Sequence, residues 1–366
     1  MSFQAEAVVD LTAISGNVAA LAAHTDAAVL AAVKADGYGH GIVAAARASL
    51  EGGADWLGVA TLDEAFRLRS AGITAPLLAW LVAPGLDLAG AIEADIDLAA
   101  TSITQLAEIA GAAGRRPARV HLKADTGMGR GGVPEAQWPR FAELAAKAQA
   151  DGRVEVVGAW SHLACADEPG HPANAAQHAA FTRYLDILGA TGVTPRLRHF
   201  ANSAGLLVDP ASHYDLVRAG IAVYGFAPVP GDFGLRPAMT LRARLVLVKR
   251  IDAGHGISYG HDFVADRPTT IASAPLGYAD GIPRGTSGTA EVLAGGKRRP
   301  VRGRICMDQS MIDFGDDEAQ AGDIVEFFGT GAITAQHWAE WNHTIVNEIL
   351  TAIGTRVPRR YVRSGA

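Results

Sequence analysis

The stretch AVLAAVKADGYGHG, residues 28–41, runs through six apolar residues, sets one lysine at their end and breaks into aspartate, tyrosine and three glycines. A short, uninterrupted apolar run reads as a strand buried on both faces, the pattern of a parallel sheet. Lys34 then stands where the strand leaves the core. Seven further runs have the same form: WLGVAT, APLLAWLV, IDLAAT, VHLKAD, VEVVGAWSH, LRHFANS and LVRAGIAVYG. Between most of them lie segments with helical spacing, such as Leu62, Ala65, Phe66 and Leu68, or the stretch from Ser102, a candidate cap, to Gly114, a candidate stop. Parallel strands need crossover connections, so eight βα units over roughly 200 residues predict an α/β fold with an N-terminal (β/α)8 TIM-type barrel. Lys34, Thr61, Trp80, Thr101, Lys123, His162, Asn202 and Arg218 fall at or just beyond the C-terminal ends of their runs. In such a barrel those ends converge on the face that carries the active site.

The texture changes at APVPGDFGLRP, residues 227–237, a Pro/Gly-rich linker. Beyond it, TLRARLVLVKRI, TTIASAPLGYA, TAEVLAGG, RPVRGRICM, QSMIDFG and DIVEFFG read as short strands with glycine turns. The expected division is a barrel over 1–233 and a C-terminal mostly-β domain over 234–366. One helix is expected over residues 333–354.

With 366 residues the chain can bury a sizeable core, and a net charge of −6 gives it no general attraction to nucleic acid or anionic membrane. A small-molecule substrate is the default. Cys165 and Cys306, far apart in sequence, fit two reduced thiols better than a disulfide framework. The opening MSFQAEAVVDL lacks a basic segment followed by a long apolar one, and no uncharged apolar run of ~18 residues occurs, so a cytoplasmic location is expected.

Desolvating a lysine lowers its pKa toward the range where a neutral amine attacks a carbonyl, and such lysines form Schiff bases. A strand-end lysine can also simply snorkel to water. Gly37, Gly39 and Gly41 permit close backbone approach to a ligand, and Tyr38 can donate to a phosphate. KADTGMGRGG contains a formal G-x-G-x-x-G at Gly127, Gly129 and Gly132, with Asp151 beyond it. A dinucleotide fingerprint turns directly from strand into helix, whereas here Lys123, Asp125 and Arg130 thread the loop and Pro134 restarts the chain, which disfavours it. His162, His171, His178, Asp167 and Glu168 match no metal-ligand spacing, and no metal is expected. The basic KRRPVRGR, residues 297–304, reads as a solvated turn. FANSAG places Asn202 and Ser203 at a helix start, and Gly220 and Ile221 offer loop amides; both suit phosphate.

In order and content, the segments VDLTAISGN, AVKADGYGHG, LKADTGMGR, SHLACADE, RHFANSAG, VRAGIAVYG, ISYGHDF, LGYADG, RICMDQ and RVPRRYV resemble the alanine racemases, fold-type III pyridoxal phosphate enzymes. The resemblance covers nearly the whole chain. It implies interconversion of L- and D-alanine, supplying D-alanine as a peptidoglycan precursor, and a homodimer whose sites are shared between subunits. Lys34 resembles the lysine that holds the cofactor and Tyr259, from the partner, the second base. Tyr38, Ser203, Gly220, Ile221 and Tyr361 would surround the phosphate, with Asn202 in support. Arg218 is similar to the arginine on the pyridine nitrogen, His162 to the histidine behind it, and Arg130 to the arginine near the substrate carboxylate, which the Met307 amide would help hold. Tyr278, Asp167, His199, Arg284 and Arg304 match an entrance path, Asp308 lies in RICMDQ, and Lys123 matches a lysine that is often carbamylated. Where the family commonly has KVDTGMGRLG, this chain has KADTGMGRGG. The alternatives at this stage are a broader amino-acid racemase of the same fold type, a threonine-aldolase-like lyase and a non-catalytic cofactor-binding barrel.

Overall fold

The computed structural model describes residues 3–364. The chain forms two compact units: Ile14–Gly37 with Ala45–Leu235, and residues up to Ala13 with Tyr38–Ala44 and residues from Arg236 onward. The first strand, β1 (Ala5–Asp10), belongs to the second unit, and the next eight build the first. They are β2 (Ala28–Ala32), β3 (Trp56–Val59), β4 (Leu77–Ala79), β5 (Asp97–Ala100), β6 (Ala118–Lys123), β7 (Val154–Trp160), β8 (Leu197–His199) and β9 (Leu216–Ala219). All the ladders between neighbours are parallel, in the order β8-β7-β6-β5-β4-β3-β2-β9. The ends of that order meet, because Asp215 N donates to Arg198 O at 3.0 Å and Arg218 N to Ala201 O at 3.1 Å. The eight expected strands are therefore those of a TIM-type barrel.

Local chemistry explains the regularity. Leu30, Ala31, Leu57, Val59, Leu77 and Leu78 are wholly buried, as strands covered on both faces must be. Ser102 caps the helix Ile103–Ala112 by accepting from Gln105 N at 3.1 Å. Thr61 caps Leu62–Ser70 in a reciprocal box with Glu64, which fixes where that helix leaves the strand end.

The second unit holds β10 (Met239–Arg244), β11 (Leu247–Ile251), β12 (Gly256–Ile257), β13 (Phe263–Val264), β14 (Thr269–Ala274), β15 (Glu291–Ala294), β16 (Lys297–Pro300), β17 (Ser310–Gly315), β18 (Ile324–Phe328) and β19 (Arg359–Val362). Six strands form one sheet in the order β16-β15-β18-β10-β1-β19, and β11, β14 and β17 form another. The expected barrel span of 1–233 thus differs from the structure at its start. In β1, Ala7 and Val9 are fully buried, and the strand pairs antiparallel with β10 and parallel with β19. Its buried Glu6 accepts from Arg242 Nε at 2.9 Å and Arg360 Nε at 3.2 Å, one arginine from each flanking strand. A buried carboxylate needs such partners, and they lie more than 200 residues away in sequence, out of reach of a local reading. The single helix expected over 333–354 is two, Ala335–Trp341 and Val346–Ala352. His343 takes φ +51, which no continuous helix accommodates.

Candidate active site

At the mouth of the barrel, Val33 N still donates to Gly58 O at 2.8 Å, so Lys34 is held on ordered backbone two residues past β2. The chain then turns left-handed over consecutive residues, with φ of +53 at Ala35, +53 at Asp36, +65 at Gly37, +50 at Tyr38 and +81 at Gly39. For a residue with a side chain this region costs about 1–2 kcal/mol. Glu64 holds the turn in place: its carboxylate accepts from Ala35 N at 2.6 Å and from Ala60 N at 2.9 Å. Asp36 pairs with Arg67 at 2.8 Å. The glycines pointed to close backbone approach to a ligand, and nothing in that reading pointed to Glu64, for which the Thr61-x-x-Glu64 pattern is the available signal.

Cations gather around Lys34. Burial lowers its affinity for a proton and Arg130 lowers it further, with Glu64 opposing; its Nζ lies 5.7 Å from the Trp80 ring centre. Burial, Arg130 and Arg218 bring Lys123 down to about 8. Trp160 lies between two cations, 4.6 Å from Lys123 Nζ and 4.9 Å from the Arg218 guanidinium. A Cβ at Gly131 would lie 3.6 Å from Lys123 Nζ, so the glycine found where the family commonly has leucine leaves that amine less covered.

Arg218, on β9, is 6% exposed. Its Nη2 donates to Ser161 O at 2.7 Å, Phe200 O at 3.1 Å and His162 Nδ1 at 3.2 Å, and its Nη1 donates to His199 Nδ1 at 3.1 Å. No carboxylate pairs with it among the described residues. Burial and the surrounding cations, Arg218 first, hold His162 well below the usual histidine range. An imidazole that accepts at Nδ1 while neutral carries its hydrogen on Nε2. His199, expected along an entrance path, is instead completely buried against Arg218. The resemblance alone put it on that path, whereas inward-facing positions of a barrel strand point into the packed interior.

Two amide-bearing loops are tied together nearby. Ser203 Oγ accepts from Gly220 N at 2.8 Å and from Ala222 N at 3.4 Å, which fixes the Gly220-Ile221 turn against the start of the helix Ser203–Val208. Asn202 caps that helix, accepting from Gly205 N at 3.0 Å. KADTGMGRGG is a compact loop and no dinucleotide turn: Gly127 N and Gly129 N both donate to Asp125 Oδ1 at 3.1 Å, and Val133 N returns to Lys123 O at 2.8 Å. An amine of lowered basicity, a buried guanidinium without an acid partner and clustered amides form a donor set that suits an aldehyde bearing a phosphate. Pyridoxal phosphate therefore fits these residues.

Most of the remaining candidates lie in the second unit. Tyr38 is buried, which pushes its hydroxyl up to about 12. At Gly41 a Cβ would lie 2.0 Å from Tyr361 Oη, so only glycine admits that phenol. Tyr259 is 69% exposed, on a short turn between Ser258 at φ +63 and Gly260 at φ +73. Arg304 grips Asp262 through both carboxylate oxygens, at 2.5 and 3.0 Å, bracing the turn. Tyr278 N donates to Cys306 O and Ala279 N to Met307 O, both at 3.0 Å, so Tyr278 and Met307 are brought together. Asp308 pairs with Arg356 at 2.7 Å. Asp167 and Arg284 are exposed. Cys165 and Cys306 are free, and no metal-binding cluster of His, Cys, Asp and Glu occurs among the described residues.

The comparisons with known proteins agree across the chain. The sequence family described as alanine racemase, N-terminal domain, matches residues 9–228, and alanine racemase, C-terminal domain, matches residues 238–361. The alanine racemase of Salinispora tropica is 55% identical over 366 residues, covering 98% of each chain. The crystal structure of alanine racemase from the D-cycloserine producer Streptomyces lavendulae superposes with a TM-score of 0.97 at 48% identity, covering 100% of this chain and 98% of that one. The alanine racemase of Streptomyces coelicolor A3(2) gives a TM-score of 0.97 at 47% identity, with 99% and 98% covered. On a barrel whose mouth fits pyridoxal phosphate, matched over both domains by one family, the chain belongs to the alanine racemases, pyridoxal phosphate-dependent isomerases.

Proposed function

We propose that the chain racemises alanine by exchanging the α-proton between two bases, the amine of Lys34 and the phenol of Tyr259 from the partner subunit of a homodimer. Racemisation of alanine and the pyridoxal phosphate requirement follow from family membership; the residue roles, the dimer and a cytoplasmic setting are the proposal. The single observation that carries it is Lys34 itself, a half-buried amine on ordered backbone whose basicity is lowered by partial burial and Arg130. When bound, the cofactor draws off the electron pair left on carbon as the proton departs.

Lys34 would hold the cofactor, with Tyr38, Ser203, Gly220, Ile221 and Tyr361 about the phosphate and Arg218 at the pyridine nitrogen. An arginine keeps its own proton and only donates, so that nitrogen would stay unprotonated. Arg130 and the Met307 amide would hold the substrate carboxylate. Inverting a stereocentre needs a proton acceptor on one face and a donor on the other, and the roles swap with direction. Neutral His162, with its hydrogen on Nε2, can donate to a phenolate and so favour that form of Tyr259. The 69% exposure of Tyr259 and the 52% exposure of Met307, both large and largely hydrophobic side chains, support a site completed by a second copy. No helix among the described residues is long and apolar enough to cross a membrane.

Chiral chromatography of alanine with the purified enzyme tests the reading. Lys34→Ala is expected to abolish turnover in both directions along with the bound chromophore. Tyr259→Phe is expected to slow proton removal from one enantiomer far more than from the other. An equal, mild loss in both directions would reject the pair. Serine, one hydroxyl larger, should turn over slowly, since a small steric difference discriminates by only ~1–3 kcal/mol; comparable rates across a panel of longer amino acids would favour the broader racemase.

A further inference from the structure

Inside the barrel runs a chain of hydrogen bonds that the proposed chemistry does not use. Arg218 Nη1 lies 3.1 Å from His199 Nδ1, His199 Nε2 lies 2.8 Å from His121 Nδ1, and His121 Nε2 lies 3.1 Å from Asp97 Oδ2. Arg119 Nε donates to the other oxygen of Asp97 at 2.6 Å. His199, His121 and Asp97 are all 0% exposed, so no water competes along the chain.

The direction of every link is dictated by its ends. A guanidinium has only donors, so His199 must accept at Nδ1 and carry its hydrogen on Nε2. That hydrogen meets His121 Nδ1, which must accept in turn, leaving the His121 hydrogen on Nε2 for the Asp97 carboxylate. A second proton on either ring would set two hydrogens face to face at one link. Burial and the Arg218 charge hold His199 well below the usual histidine range, in accord with a neutral ring. The packing fixes both rings in place. Trp160 stacks on His199 with ring centres 5.4 Å apart at 8°, and Trp56 meets His121 edge-on at 5.6 Å. Gly158 lacks the Cβ that would lie 2.3 Å from His121 Nδ1.

We infer that Asp97 and His121 are positioning residues: acting through His199, they set the orientation and hydrogen-bond polarity of Arg218 from the opposite end of a directed, fully buried chain. Its catalytic meaning rests on placing Arg218 at the pyridine nitrogen, as above; the order of hydrogens does not. Hydrogen bonds that all run one way polarise each other, and this chain joins a cation to an anion through two neutral rings. Arg218 is thereby held without a carboxylate beside it, which leaves its remaining hydrogen-bonding capacity to face a ligand.

The test is a nitrogen-15 NMR spectrum of the histidine-labelled holoenzyme, with His121 and His199 assigned by substitution. Both rings are expected as the neutral Nε2–H tautomer. A hydrogen on Nδ1 of either ring, alone or as a second proton, overturns the proposal. In kinetics, His121→Leu is expected to lower kcat at least about tenfold while KM for alanine moves less than about twofold. His121→Gln, whose amide can both accept and donate, should recover most of the loss. Wild-type kcat in His121→Leu, or equal loss in both variants, reduces His121 to packing and overturns the positioning role. If His121→Leu fails to fold, the tautomers of the wild-type enzyme still decide. A wild-type enzyme with the expected tautomers but no racemisation would sink the proposed function and leave the chain of hydrogens standing.

Discussion

Partial burial and the charges of Arg130, Arg218 and Lys34, opposed by Asp125, bring the Lys123 amine down to about 8. Its folded pKa lies below the unfolded value of 10.5, so the unfolded chain binds more protons between those limits and stability rises with pH there. Below about 8 the charged amine carries its full cost. Lys123→Met, measured by thermal unfolding of the cofactor-free protein, is therefore expected to raise Tm at pH 7, and the gain should shrink as pH climbs from about 8 toward 10.5. A gain independent of pH would mean that packing, not charge, separates the two proteins. The same lowered basicity keeps a share of the amine neutral near pH 8, the form that adds carbon dioxide, so a carbon-13 carbamate signal in labelled bicarbonate that vanishes in Lys123→Arg is the expected sign of carbamylation.

Single elements show most clearly what can be read from a linear chain. The buried strands were legible because strands covered on both faces are apolar throughout, and their polar terminators, from Lys34 to Arg218, marked the barrel mouth. The helix cap at Ser102 was equally local, while Thr61 was read only as a strand end and its cap went unread. Gly41 illustrates the limit: its need for glycine comes from Tyr361, 320 residues onward, whose hydroxyl occupies the place of a side chain. Gly41→Ala combines that contact with φ +91, and it is expected to cost at least about 1–3 kcal/mol in urea unfolding. An unchanged midpoint would show that the phenol moves aside freely. His121 and Asp97 stayed hidden for a related reason. One polar residue in an apolar strand gives no hint of its partner, and here each partner sits on a different strand of the barrel. His199 was assigned to an entrance path by resemblance alone, and its burial depends on contacts with other strands that no local pattern shows.

For the whole molecule, the decisive question is whether Lys34 and Tyr259 of one site come from different chains. In a symmetric dimer with shared sites, mixing Lys34→Ala with Tyr259→Phe gives a mixed dimer with one site intact and the other doubly defective. Random reassociation should restore about a quarter of wild-type activity in the direction Tyr259→Phe cripples. If each site is built within one chain, the mixture stays as slow as its components. A different consequence follows from β1, whose parallel partner begins at Arg359. On the ribosome β1 is made long before its ladder is complete, since Arg360 must be synthesised before Val8 meets it. At ~5–20 residues per second that wait is roughly 20–70 s. Until Met239 and Leu241 of β10 have been made, Ala7 and Val9 travel without a pairing strand, a sticky thread for chaperones to guard.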